Sequence, residues 1–192
     1  MKRSIYLICL IAIVLCLLYL AYGFWREYRI PEAASPSPTI TTLTLPDAPM
    51  GTYQTEFVDT TYEGYPIIAQ LTIPAIDLNI PVLATYSEET LAISATKFYG
   101  PAPNEIGNFC IAGHNYPKPN MFNHLIDLSI GDTIYLTDNE NGRGTYRIYD
   151  LYKVVPTDIS PLSQETNGAT EITLITCTNY SSKRFIVKAV KI

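Results

Sequence analysis

The chain has 192 residues, 47% of them hydrophobic and 16% charged, which is too apolar for a disordered tail and enough for one compact domain of about 100–150 residues. A formal net charge of −5 gives no electrostatic footing for nucleic acid or for an anionic lipid surface, so both partners are set aside. Of the four cysteines, Cys9 and Cys16 fall in the N-terminal apolar segment, so only Cys110 and Cys177 belong to a folded domain and no disulfide framework is spelled out. Two histidines with no close Cys/His cluster offer no zinc ligand set.

Residues 5–24 carry no charge, and ~20 apolar residues at helical rise span a hydrocarbon layer of ~30 Å. The run exceeds the roughly 7–15 residues of a signal-peptide core, so an uncleaved transmembrane anchor over residues 1–25 is predicted rather than a removed leader. Lys2 and Arg3 before it are balanced by Arg26 and Arg29 after it, so charge counting leaves the orientation open. Residues 26–66 are rich in proline, threonine and serine and read as an extended, solvated stalk whose end near 62–64 packs on the domain.

From residue 67 to 192 the pattern changes to short β-rich runs at 67–73, 78–83, 108–114, 133–137, 145–155, 171–178 and 184–192, separated by turn residues. Asn141-Gly142 between two of them predicts a hairpin, and Pro74 and Pro81 confine their neighbours to strand ends or sheet edges. Short helices are predicted at 88–95 and 121–128, the second because Met121, Leu125 and Leu128 fall at helical spacing. With no repeat and no βαβ alternation, the residues predict an all-β, mostly antiparallel barrel or sandwich.

Side chains on a strand alternate faces, and this parity sorts the candidates. In 171–177, Ile172 and Leu174 share one face while Thr173, Ile175 and Cys177 share the other. In 184–190, Phe185, Val187 and Ala189 form the apolar face, with Arg184 and Lys188 opposite. In 108–114, Phe109 and Ile111 oppose Cys110, Ala112 and His114. Six residues separate Cys177 from Arg184, so a hairpin would bring thiol and guanidinium to facing positions ~5 Å apart.

A thiol has an ordinary pKa near ~8.5 and needs an acceptor to act at neutral pH. An imidazole at His114 can take its proton and later protonate a leaving amine, and Arg184 can hold a carbonyl or an oxyanion. Each residue has a plainer role as well: Cys177 as a small core hydrophobe, His114 as a loop-mouth histidine, Arg184 as a solvated edge charge. Cys110, four residues from His114, would lie ~13 Å from it on a strand and reads as a packed wall residue. His124, with no thiol or carboxylate in its local pattern, reads as surface. Two rival functions follow from these alternatives: a non-enzymatic surface binding module with Cys177 inert, and a thiol–disulfide protein using Cys110 and Cys177. The missing Cys-x-x-Cys spacing speaks against the second.

Thr-Leu-Ile-Thr-Cys ending at Cys177, Ala-Gly-His ending at His114 and Arg-Phe-Ile-Val beginning at Arg184 together resemble the sortases, cysteine transpeptidases of Gram-positive cell surfaces. Their order and spacing match as well, as do Gly131-Asp132 and the run ending in Val-Val-Pro156. The resemblance covers about 67–192 and implies a closed eight-stranded sortase-type β-barrel with short helices, preceded by the transmembrane helix. It implies that Cys177 attacks a Leu-Pro-x-Thr-Gly sorting signal between Thr and Gly. A thioester forms, and an amine of a cell-wall precursor or a pilin lysine resolves it, with His114 moving protons and Arg184 holding substrate or oxyanion. Thr176 matches a position associated with substrate and oxyanion contacts, and 157–170 matches the segment that shapes the groove. The resemblance also places the catalytic domain outside the membrane and leans toward a class A-like or class D-like enzyme. No cofactor is expected. Relatives bind calcium through acidic side chains, for which Glu105, Asp158 and Glu165 are scattered candidates that do not establish a site.

Overall fold

A computed structural model of the chain describes residues 10–22, 60–140, 142–178 and 182–192. Residues 10–22 are helical throughout, as helix α1. Among the described residues no helix is long and apolar enough to cross a membrane. The rest of the predicted 5–24 anchor, and the stalk up to residue 59, lie outside the described residues.

Among the described residues nine strands follow: β1 Thr61–Tyr62, β2 Tyr65–Ile73, β3 Leu78–Leu83, β4 Ala95–Tyr99, β5 Gly107–Ala112, β6 Thr133–Asp138, β7 Gly142–Val154, β8 Thr170–Cys177 and β9 Arg184–Lys191. They pair in the order β1-β2-β3-β4-β5-β8-β9-β7-β6, and β6 pairs back onto β2, where Leu71 faces Leu136. That contact closes β2–β9 into an eight-stranded barrel, and β1 is a two-residue addition on β2. Six of the eight barrel pairings are antiparallel; β3–β4 and β5–β8 are parallel.

The core confirms the parity reading, since Ile172 and Leu174, Phe185, Val187 and Ala189, and Phe109 and Ile111 all point into one buried cluster with Leu71, Ile134 and Tyr146. Alternation produces this because every second side chain of a closed sheet faces the interior. Pro81 sits inside β3, opposite Gln70 of β2, while pairing with β4 begins only at Val82. Its missing N–H therefore falls where β3 is still an edge.

The parallel step from β3 to β4 is made by α2, Glu88–Ile93, which starts on a capping box: Ser87 Oγ accepts from Thr90 N and Thr90 Oγ1 accepts from Ser87 N. The helix ends at Ile93 rather than 95, because Ala95 already belongs to β4, a strand the sequence did not announce. The predicted hairpin is present, with Asp138 facing Gly142, whose φ of +74° is the left-handed backbone that glycine tolerates. Asn141 itself lies outside the described residues.

The helix expected at 121–128 is not formed. Asn120 has a left-handed φ of +65°, and only Leu125–Asp127 winds into a 3₁₀ turn. Met121, Phe122, Leu125 and Leu128 are nevertheless buried, so their spacing reflects a segment that packs into the barrel rather than a regular helix. His124 is exposed as expected, yet it does meet a carboxylate: its Nδ1 lies 2.9 Å from Asp127 Oδ2.

Candidate active site

Strand β5 runs parallel to β8 with Gly107 beside Thr170 and Ala112 beside Ile175, and β8 runs antiparallel to β9 with Cys177 directly opposite Arg184. The β5 ladder continues past its last strand residue: Gly113 N donates to Ile175 O at 3.1 Å, and Thr176 Oγ1 donates to Gly113 O at 2.8 Å. Carrying that register two residues beyond Ala112 sets His114 next to Cys177. Neighbouring strands are ~4.8 Å apart, so Cys177 and Arg184 form a row across β8 and β9, and His114, two residues past the end of β5, lies on the same line when the β5–β8 register is carried forward. Because paired residues face the same side, the row lies on the outer face of the barrel wall.

Cys177, His114 and Arg184 are each half-buried, reachable from solvent but partly sheltered. The Arg184 guanidinium carries an Nη1 that is buried and has no hydrogen-bond partner among the described residues. Thr176 is buried, belongs to the inward-facing set and commits its hydroxyl to Gly113 O, so it ties the residue before His114 to the residue before Cys177.

Below the row, the next register line reads Ala112, Ile175, Ile186 and Tyr152, an apolar strip on the same outer face. The line after it reads Cys110, Thr173, Lys188 and Asp150. Lys188 Nζ stands 3.6 Å from Glu171 Oε2, which also accepts from Tyr149 OH at 2.9 Å. Burial, then the Glu171 charge, pushes the Tyr149 phenol well above its ordinary value. Cys110 is fully buried, and burial raises its thiol to about 11, against the smaller lowering effect of Lys188.

The 155–169 segment folds over this face. Asn108 Nδ2 donates to Pro161 O at 2.9 Å and Ser163 O at 3.0 Å, while Thr173 Oγ1 donates to Asn108 Oδ1 at 2.7 Å. Gln164 bonds both backbone groups of Asn108, each at 3.0 Å. Neither Asn108 nor Gln164 was singled out by sequence, although Asn108 shares the outward parity of Cys110 and His114, a signal that was available. Tyr116 was missed too: its ring stacks on that of His114, with centroids 4.5 Å apart and planes at 22°.

The acidic candidates do not converge. Glu105 Oε2 accepts from Ala102 N and Asp158 Oδ1 from Ser160 N, each closing its own turn. Among the described residues no group of three His, Cys, Asp or Glu side chains could hold a metal ion. An open cleft bounded by Tyr99, Ile106 and Gln164 lies at the start of β5 and β8, roughly 20 Å of strand from Cys177.

The model of the sortase domain matches residues 71–192, the barrel from within β2 to its last strand, with Cys177, His114 and Arg184 inside it. The chain belongs to the sortase family. Sortase A of Bacillus anthracis is 33% identical over 152 residues, covering 70% of this chain and 71% of that protein. Among solved structures, a Clostridium perfringens sortase D5 transpeptidase superposes with a TM-score of 0.60 at 31% identity, covering 66% of this chain and 79% of that one. Streptococcus pneumoniae sortase C, described for its pilin substrate specificity, gives a TM-score of 0.60 at 30% identity over 66% of this chain and 68% of that one. Sortases are cysteine transpeptidases associated with Gram-positive cell surfaces, and this chain is a sortase-type cysteine transpeptidase.

Proposed function

We propose that this sortase cleaves a Leu-Pro-x-Thr-Gly-type sorting signal and joins the released carboxyl end to an amine, with Cys177, His114 and Arg184 as its catalytic residues. The observation that supports this reading is the pairing of Cys177 with Arg184 across β8 and β9, with His114 following β5, the strand that runs parallel beside β8. In the first step the Cys177 proton passes to His114 and the sulfur attacks the threonine carbonyl. The C–N bond to glycine breaks, a C–S thioester forms, and His114 protonates the departing amine. In the second step the acceptor amine forms the new C–N bond as the C–S bond breaks, and His114 takes the amine's proton and returns it to the Cys177 sulfur.

Arg184 meets the negative charge that develops on the carbonyl oxygen, and its unpartnered Nη1 supports that role. The apolar strip through Ala112, Ile175 and Ile186 suits the leucine and proline of the signal, with 155–169 as the groove wall. Thr176 serves the substrate indirectly, by fixing the peptide ahead of His114. The acceptor is a cell-wall precursor or a pilin lysine, and the enzyme is of class A-like or class D-like type. Residues 1–25 form a cytoplasmic tip and anchor, 26–66 a stalk whose last residues add β1 and the start of β2 to the barrel sheet, and 67–192 an extracytoplasmic catalytic domain.

The test is to incubate the chain with sorting-signal peptides and several amines and to weigh the products. Native chain is expected to give a peptide–amine conjugate and a thioester adduct on Cys177, while Cys177→Ala gives neither and stays folded. Turnover in that variant sinks the reading.

A further inference from the structure

No hydrogen bond reaches either ring nitrogen of His114 among the described residues; the contact that orients its ring is the stack on Tyr116. A stacked neighbour covers a face of the imidazole and leaves the edge, with both nitrogens, open. That suits a group that must first accept a proton from a thiol and then give it to an amine. An aromatic face also favours the cationic ring formed between those two events.

The chain around Tyr116 is braced in a way that holds this stack. Phe122 N donates to His114 O at 2.8 Å, closing the 114–122 segment on itself, and Lys118 N donates to Tyr116 O at 2.8 Å. Asn120 Nδ2 reaches across to Tyr62 OH at 2.9 Å, pinning the far side of the segment to β1. Tyr116 precedes Pro117, which keeps its backbone out of the helical region. Gly113 lies against the Phe122 ring, so the peptide that carries His114 is backed by the core.

We propose that Tyr116 is the positioning residue of His114, holding the imidazole in plane for Cys177 and steadying its protonated form. The proposal rests on the acid/base role assigned to His114 above. In the full-length chain in mild detergent, Tyr116→Ala is expected to lower kcat roughly 5- to 10-fold with KM unchanged, and Tyr116→Phe to restore it to within about two-fold. Tyr116→Leu, which keeps bulk without a π face, is expected to behave like the alanine variant and covers the case in which that variant folds poorly. A kcat in Tyr116→Ala within about two-fold of native overturns the proposal. So does a phenylalanine variant as slow as alanine, or a loss confined to KM, since each would make Tyr116 a substrate contact.

A second readout needs no turnover. The His114 ring protons are expected to resonate upfield in the native chain and in Tyr116→Phe, and to move downfield in Tyr116→Ala. Unmoved ring protons would overturn the stack itself. A chain that stacks normally but never joins peptide to amine would instead sink the transpeptidation reading.

Discussion

Two thiols a few residues from the same histidine, in sequence or in space, are separated by environment. Cys110 has no exposed surface and a thiol raised to about 11 by burial, whereas Cys177 stands half-buried at a strand end opposite Arg184. Alkylation near neutral pH is therefore expected to mark Cys177 in the folded chain and to spare Cys110 until denaturant is added, as read by peptide mass mapping. Early labelling of Cys110 would contradict that assignment. Gly113 offers a second check, because a Cβ there would come 2.7 Å from the ring of Phe122, which is itself fully buried. Gly113→Ala is expected to cost about 1–3 kcal/mol by urea unfolding, as overpacking does, and to slow catalysis because the next residue is His114. The outward placement of Cys177 and Arg184 was legible from period-two alternation alone. Tyr116 was not, since ring stacking four residues past a strand depends on the path of a proline-bounded loop.

The 155–169 segment is tied to the barrel by one strand residue more than by any other. Asn108 hydrogen-bonds Pro161, Ser163, Thr173 and Gln164, joining the segment to the start of β5. Asn108→Ala strands buried carbonyls at roughly 1–3 kcal/mol each, so the segment is expected to loosen before the barrel does. The measurable outcome is faster proteolytic nicking within 155–169 and a raised KM for the sorting-signal peptide, with kcat near native. Unchanged nicking would show that other contacts hold it. The strands were legible to within a few residues because half-buried sheet enforces alternation. β4 was not, because Ala95–Tyr99 is short, carries Lys97 and follows a helix without a break. The 121–128 helix was over-read for a complementary reason: a turn followed by 3₁₀ winding buries the same i, i+3 and i+4 positions as a helical face.

Residue composition predicted an all-β domain but left barrel and sandwich equal, and the resemblance decided between them. The physical reason is that closure depends on β2 pairing with β6, Gln70 with Thr137 and Thr72 with Tyr135, a contact between segments far apart in sequence that local periodicity does not report. The closed wall also fixes how the molecule responds to alkali, because it buries acids that an unfolded chain would expose. Cys110 rises from 9.0 to about 11, and the Tyr146, Tyr149 and Tyr152 phenols are likewise pushed above their ordinary range, in each case chiefly by burial. A raised pKa in the folded state means that the unfolded chain gives up its proton first as pH climbs. Below the unfolded value the contribution to stability is complete; above it the unfolded state binds fewer protons and gains ground. Stability is therefore expected to fall steadily from about pH 9 to 11, and Cys110→Val is expected to flatten the early part of that fall while leaving the tyrosine part. Urea midpoints across the range read it directly, and a midpoint that holds steady to pH 11 would mean these groups are wetter than the barrel wall makes them.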